Sequence, residues 1–580
     1  MKRQLLLLTA IALCSSAFVG CKKASAEQAV PSALPYISMD SWLYNSDDDV
    51  YYQTGLSYAT TPADADYETL GIYVPGAYFD AKENGDGTYS CTLNKNASVA
   101  GYDITTAPYV LLVETPGYSA CQPPTGYVSS VKSFTDAGFI YIYPGCRGRD
   151  HGAPSGVTDL KAAIRYVRYN KALLPGDTER LFSFGMSGGG AQSALLGSTG
   201  DATEYAPYLA AIGAVEGVSD AVMGSMCWCP ITNLDYADEA YEWNMGMTRT
   251  GLDEETQKLS NRLAESYAEY INSLGLTAED GSLLTLLPTS DGIYQGGTYY
   301  EYVKVAIENS LNNFLSDTSF PYSASSEGRM TGGRGTPGTR PSGDFPKGEN
   351  FPGGTKPDMA DYTQRDNIQR TASTSLGLSL TGTYQTAQDY VDALNTNGNW
   401  VTYDENTNTV TISSIGDFAK ALKNASKSVG AFDDLNATQG ENTLFGYGSG
   451  AHFDSTMAAI LTEMDSPYAA AYNADIKKTD SLGTSVQDRI NMYTPLFYLN
   501  STYAGYKTAT VASFWRIRSG ISQGDTALCT ELNLALALKN YGITDVDFET
   551  VWGQQHVKAE RTGDSTENFI AWVNECLSKK

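Results

Sequence analysis

Hydrophobic and polar positions alternate in a regular rhythm from about residue 105. APYVLLVET (107–115), FIYIYP (139–144) and RLFSFGM (180–186) are short apolar runs that predict buried strands. GVTDLKAAIRYVRYN (156–170) has apolar residues at helical spacing, and GGAQSALLG (189–197) opens a second helix. Strands alternating with helices predict an α/β fold, a mostly parallel sheet flanked by helices. The rhythm stops after SMCWCPIT (225–232) and returns near 511. There SFWRIRSGI and DVDFETVWG read as strands, and DTALCTELNLALALKNYG and STENFIAWVNEC as helices. The intervening block, 233–508, reads as a large lid domain inserted between late strands of the sheet. It holds helical runs such as EETQKLSNRLAESYAEYINSLG and a Gly/Pro-rich loop at 332–357. Residues 61–232 and 509–580 are then the two parts of the core.

Composition adds an address and an exclusion. Lys2 and Arg3 precede LLLLTAIAL, and FVGC follows at 18–21. A basic start, a short apolar run and small residues before a cut describe an export signal (1–20), not a membrane span. Phe-Val-Gly-Cys resembles a bacterial lipobox, which makes Cys21 the expected lipid anchor and 21–60 an anchor and tether. The expected location is therefore that of an exported lipoprotein held at a membrane. The formal charge of −27 excludes nucleic acid as a natural partner, because phosphate binding needs a basic surface. Seven cysteines remain beyond Cys14 and Cys21, an odd number, so at least one is free of internal pairing. Cys227-Trp-Cys229 lacks the second pair of a zinc site, so no metal and no organic cofactor is expected.

The chemistry starts at Gly185-Met186-Ser187-Gly188-Gly189. Strand, G-x-S-x-G, then helix is the pattern of a nucleophile elbow, as in an α/β-hydrolase. The serine sits at a helix N-terminus, where Gly188 N–H is the natural first oxyanion donor. The second donor comes from the loop after the strand at 107–115, where Gly117 and Tyr118 are the candidates. A nucleophilic serine needs a base. Only His151, His452 and His556 exist. His556 follows the last predicted strand, the place this chain order requires, whereas His151 precedes the elbow and His452 falls in the insertion. The acid belongs in the turn SGISQGDT (519–526), whose one carboxylate is Asp525; a helix N-cap is the other reading of that residue. Arg147 and Arg149 read as structural partners of nearby acids.

GAPSGVTDLKAAIRYVRYNKALLPGDTERLFSFGMSGGGAQSALLGSTGD resembles the core of the bacterial subtype B tannases, α/β-hydrolases with a large lid that cleave galloyl esters. The resemblance implies a serine ester hydrolase with the Ser187 and His556 roles above. It also implies a phenol-binding set of a lid lysine, a lid glutamate fourteen residues later and an aspartate in the acid turn. Lys427, Glu441 and Asp525 match it. One departure stands out. The family turn resembles Asp-x-Asp-Thr, and this chain has Gln523-Gly524-Asp525-Thr526. Gln523 thus occupies the triad-acid position. Asp525 could serve His556 instead, Gln523 could orient the imidazole through its amide oxygen, or an acid such as Asp235 could come from elsewhere. Three functions follow: a galloyl or related phenolic esterase; a feruloyl, aryl or other carboxylesterase or a peptidase on the same fold; and a degenerate hydrolase acting as a surface binding protein.

Overall fold

A computed structural model describes residues 34–290, 293–324 and 380–579. The export signal, Cys21 and the loop 332–357 lie outside the described residues. Nine strands form the main sheet: β1 (Leu43–Asn45), β2 (Val50–Ser57), β3 (Thr69–Pro75), β4 (Tyr109–Val113), β5 (Ile140–Pro144), β6 (Leu181–Met186), β7 (Gly224–Trp228), β8 (Phe514–Gly520) and β9 (Asp545–Val551). Their spatial order is β1-β2-β3-β5-β4-β6-β7-β8-β9. From β5 to β9 every pairing is parallel, and β1, β2, β3 and β5 pair antiparallel. β1 and β2 correct the sequence reading, which left 43–57 in a tether. VYYQTGLS carries strand alternation, but an acidic run, Asp47 to Asp49, precedes it and hides the signal; β2 is held in place by β3, a tertiary partner.

The elbow strand shows how the layers form. On β6, Phe182 and Phe184 join one hydrophobic cluster while Leu181 joins the other, as period-two alternation requires. Phe184 packs on Phe569, and Phe182 on Trp572, both from the closing helix Ser565–Ser578. Each such buried aromatic contributes about 1.5–3 kcal/mol. Past Leu181 the opposite face of β6 carries the small residues Ser183 and Gly185, so the helix Gly188–Ser198 lies close against it. Ser183 Oγ and Ser193 Oγ hydrogen-bond across the gap at 2.9 Å. A Cβ on Gly185 would sit 2.4 Å from Gly189 O, which no side chain tolerates.

The chain between β7 and β8 is the insertion. It includes the helices α1 (Ala237–Met245), α2 (Glu254–Leu274) and α3 (Gly440–Phe445). Its Trp243, Tyr267, Leu311 and Phe418 belong to the same hydrophobic cluster as Leu196 and Trp515 of the sheet layer. The insertion and the sheet therefore share one core. All seven cysteines among the described residues are buried thiols.

Candidate active site

Three loops at the carboxyl ends of parallel strands converge, which is where open α/β sheets place their sites. β6 ends in Ser187, which is the N-cap of the following helix. Its backbone is held at φ 60°, ψ −125°, in the left-handed region that a non-glycine residue rarely adopts. Close packing enforces this turn. A Cβ on Gly188 would lie 2.4 Å from Thr115 O and 2.6 Å from Tyr118 N. The strain exposes the hydroxyl on a sharp corner.

His556 follows β9, and its Nε2 lies 2.7 Å from Ser187 Oγ. Its Nδ1 lies 2.6 Å from Gln523 Oε1 in the turn after β8. Gln523 is buried and holds the position a triad acid would take. Asp525 does not: its Oδ2 is 3.7 Å from Nδ1, and its side chain is 48% exposed. The reading of Asp525 as triad acid is corrected on this geometry, because the amide fills the place behind the ring and leaves the carboxylate at the solvent edge. Asp525 is no helix cap either; Ala527 is the N-cap of α4 (Leu528–Tyr541), without a side-chain bond. Asp235 is not an acid for His556, since its carboxylate accepts a bond from Tyr503.

Burial pushes the His556 imidazole below its ordinary range; Asp525 pulls it up, and Lys427 and Lys423 push it further down. The ring is therefore neutral near pH 7 and able to accept a proton. Activity should fall as pH drops through this lowered value. Asp525→Asn removes a raising charge and should move the acid limb of kcat/KM to lower pH. Lys427→Met removes a lowering charge and should move it to higher pH. A pH profile on p-nitrophenyl acetate, which needs no ring-edge contacts, checks both; shifts of the same sign would contradict the assignment.

The oxyanion side is equally close-packed. Tyr118 N–H donates to Thr115 O at 2.9 Å within a tight turn, so that donor is already engaged. Gly117 N–H has no acceptor among the described residues and lies on the same side as Gly188, whose Cβ position is 3.2 Å from Gly117 N. Of the two loop candidates, Gly117 is the one left to act beside Gly188. Arg149 Nη1 donates to Gly117 O at 3.2 Å, the carbonyl of the following peptide, whose N–H belongs to Tyr118. Arg147 is structural, clamped on Asp159 at 2.6 Å. Neither remaining histidine reaches the serine. His151 Nε2 pairs with Asp64 at 3.1 Å, and His452 Nδ1 with Asp433 at 2.7 Å.

The insertion supplies Lys427 and Glu441. Lys427 Nζ lies 3.9 Å above the Phe432 ring, and its charge reaches His556. It borders a cleft of about 350 Å³ that also includes Arg249, Leu252, Val429 and Leu435. Glu441 is buried in α3, beside the Gly117–Tyr118 turn. The insertion also clamps the turn that holds Gln523. Tyr241 OH and Ser426 Oγ donate to Gly524 O at 2.9 and 3.1 Å, and Lys423 Nζ donates to Gln523 O.

The sequence reading missed Lys423 and Glu531. Gln523 Nε2 donates to Glu531 Oε1 at 2.6 Å, and Ser519 Oγ donates to the same oxygen at 3.0 Å. Glu531 is fully buried. Its signal in the sequence is a lone carboxylate among the apolar residues of TALCTELNLALAL.

The strand order, the elbow and the three converging loops define an α/β-hydrolase. Comparisons agree. A family model described as BD-FAE matches residues 105–264. Among solved structures, a tannase from Fusobacterium nucleatum is 26% identical, with a TM-score of 0.64, covering 91% of this chain and 95% of its own. The tannin acyl hydrolase of Lactobacillus plantarum is 25% identical, with a TM-score of 0.62, covering 91% of this chain and 94% of its own. A tannin acyl hydrolase in complex with ethyl gallate is also 25% identical, with a TM-score of 0.62, covering 91% of this chain and 94% of its own. No curated protein sequence matches the chain. Fold and neighbours together support a carboxylic ester hydrolase of the tannase kind.

Proposed function

We propose that this protein hydrolyses galloyl or closely related phenolic esters, with Ser187 as nucleophile and His556 as its base. The observation that carries the reading is the unbroken line from Ser187 Oγ through His556 to Gln523 Oε1, with links of 2.7 and 2.6 Å. Ser187 Oγ attacks the ester carbonyl carbon while His556 Nε2 takes its proton. The carbonyl oxygen becomes an oxyanion and accepts from Gly188 N–H and Gly117 N–H. Collapse breaks the bond to the alcohol oxygen, which leaves with the proton from His556. Water, deprotonated by the same ring, then releases the phenolic acid. Gln523 Oε1 accepts from Nδ1–H throughout, which keeps Nε2 free as the proton acceptor.

The phenolic preference rests on the charges around the serine. Lys427 and Asp525 lie near His556, and Glu441 lies near the oxyanion turn. Such a set pairs with ring hydroxyls and disfavours rings that lack them, because the buried Glu441 carboxylate is then left without that partner. Tannin acyl hydrolase neighbours are seen in complex with ethyl gallate and with 3,4-dihydroxybenzoate. Methyl gallate should be turned over at least about 10²-fold faster, as kcat/KM, than methyl ferulate, with both activities absent in Ser187→Ala. Equal rates would remove the phenol-binding set and leave a general carboxylesterase.

Export with a lipid on Cys21 is part of the same proposal, supported by the Phe-Val-Gly-Cys motif. Mass spectrometry of the mature N-terminus tests it; an unmodified Cys21 or an uncut leader would contradict it.

A further inference from the structure

A serine triad normally places a carboxylate on the imidazole, and here an amide stands in its place. We propose that Glu531 is the displaced anion of this site, a positioning residue that acts on His556 through Gln523. The inference rests on the serine-hydrolase reading above and deepens it.

Hydrogen-bond polarity links the four groups. A carboxylate can only accept, so Glu531 Oε1 requires the NH₂ end of the Gln523 amide to face it. That turns Gln523 Oε1 toward His556 Nδ1, which must then carry the proton. A neutral ring with its proton on Nδ1 has Nε2 bare, ready for the Ser187 hydroxyl. Glu531 thus sets the sense of every bond down to the nucleophile. With the amide reversed, its NH₂ would face Nδ1, the ring would hold its proton on Nε2, and Ser187 would have no base. Forcing the wrong tautomer in a serine triad costs about 10⁴-fold in turnover.

The hydrogen bonds around Glu531 fit an acceptor in this role. Both donors, Gln523 Nε2 and Ser519 Oγ, fall on the single oxygen Oε1. Oε2 is buried with no partner, so a carboxylic O–H there would find no acceptor. Burial lifts the carboxyl to about 7, against the Lys423 ammonium, which pulls it back down. Lys423 reaches in from the insertion and fixes the backbone of the same turn by donating to Gln523 O. The other ionisable groups close to Glu531 are the buried thiols Cys229 and Cys529, which burial keeps protonated and uncharged. When the imidazole becomes positive in the transition state, the Glu531 charge lies one amide away, in a site screened from water.

Two variants of equal volume separate this role from simple packing. Glu531→Gln keeps the shape but lets the 523 amide face either way. Gln523→Glu combined with Glu531→Gln exchanges the two groups and moves the charge onto Nδ1. With p-nitrophenyl acetate, E531Q should lose about 10²-fold in kcat with KM unchanged. The exchanged double variant should return to within about 3-fold of wild type. Nitrogen-15 NMR of His556 should show the Nδ1–H tautomer in wild type and in the double variant, and a mixture in E531Q. Full activity in E531Q with one tautomer, or a double variant as impaired as the single one, would overturn the proposal. The NMR readout needs no turnover. A wild-type protein that cleaves no ester in a Ser187-dependent way would therefore sink the hydrolase reading and still leave the Glu531 assignment to be decided by tautomer.

Discussion

His556→Ala is expected to lower the turnover of methyl gallate by about 10⁴-fold or more while KM changes little. Among the described residues the ring is the one group within hydrogen-bond reach of Ser187 Oγ that can take its proton, and burial keeps it neutral near pH 7. Without it the hydroxyl remains a weak nucleophile and the leaving alkoxide receives no proton. Residual hydrolysis would come from the oxyanion donors alone, a contribution of about 10³–10⁴ over water. His151 and His452 cannot substitute, because each is bound to its own aspartate away from the serine. Steady-state kinetics beside a thermal melt checks this. A variant that keeps its melting temperature and more than a tenth of its turnover would remove His556 from the mechanism.

The second large effect is expected at Gln523. Gln523→Leu should cost about 10²–10⁴-fold in kcat, the range for loss of the group behind a triad histidine. Leucine cannot accept from Nδ1–H, so the ring loses both its orientation and its tautomer. It also withdraws a donor from the buried Glu531 carboxylate, which adds a stability loss of about 1–3 kcal/mol. Gln523→Glu alone should be no remedy. It would put two carboxyls in contact where Gln523 Nε2 and Glu531 Oε1 now stand 2.6 Å apart, and one of them must hold a proton. By contrast, with p-nitrophenyl acetate, which makes no ring-hydroxyl contacts, Asp525→Asn should keep most of the rate, since that side chain lies beyond hydrogen-bond distance of Nδ1 and is half exposed. An Asp525→Asn variant as impaired as Gln523→Leu would return the acid role to Asp525.

What was legible in the sequence was local. The elbow could be read because a strand, two glycine positions and a helix start lie within about a dozen residues, where packing dictates residue type directly. His556 could be read by elimination, since three histidines leave few choices. The position of Gln523 came from the family resemblance of its turn. Its role, orienting the imidazole through the amide oxygen, stayed one of three alternatives, because an amide oxygen and an amide nitrogen are equivalent until their neighbours are known. The neighbours that decide, Glu531 and His556, come from a separate helix and a separate loop. Likewise Lys423, Tyr241 and Ser426 meet the 523–524 backbone only through tertiary packing of the insertion. Asp525 drew attention as the sole carboxylate in its turn; only three dimensions show that the place behind the ring was already filled. The strands β1 and β2 were missed for a related reason: an edge segment takes its identity from the strand it pairs with, here β3.

The central claim is that Ser187 is an activated nucleophile at the end of the line through His556 and Gln523. Intact-mass analysis after brief exposure to a serine-reactive fluorophosphonate tests it most directly, because it reads the nucleophile without assuming a substrate. One adduct per chain is expected, located by peptide mapping on Ser187, absent from Ser187→Ala and formed slowly, if at all, in Gln523→Leu. Folded wild-type protein that takes up no label, or an adduct on any other residue, would contradict it.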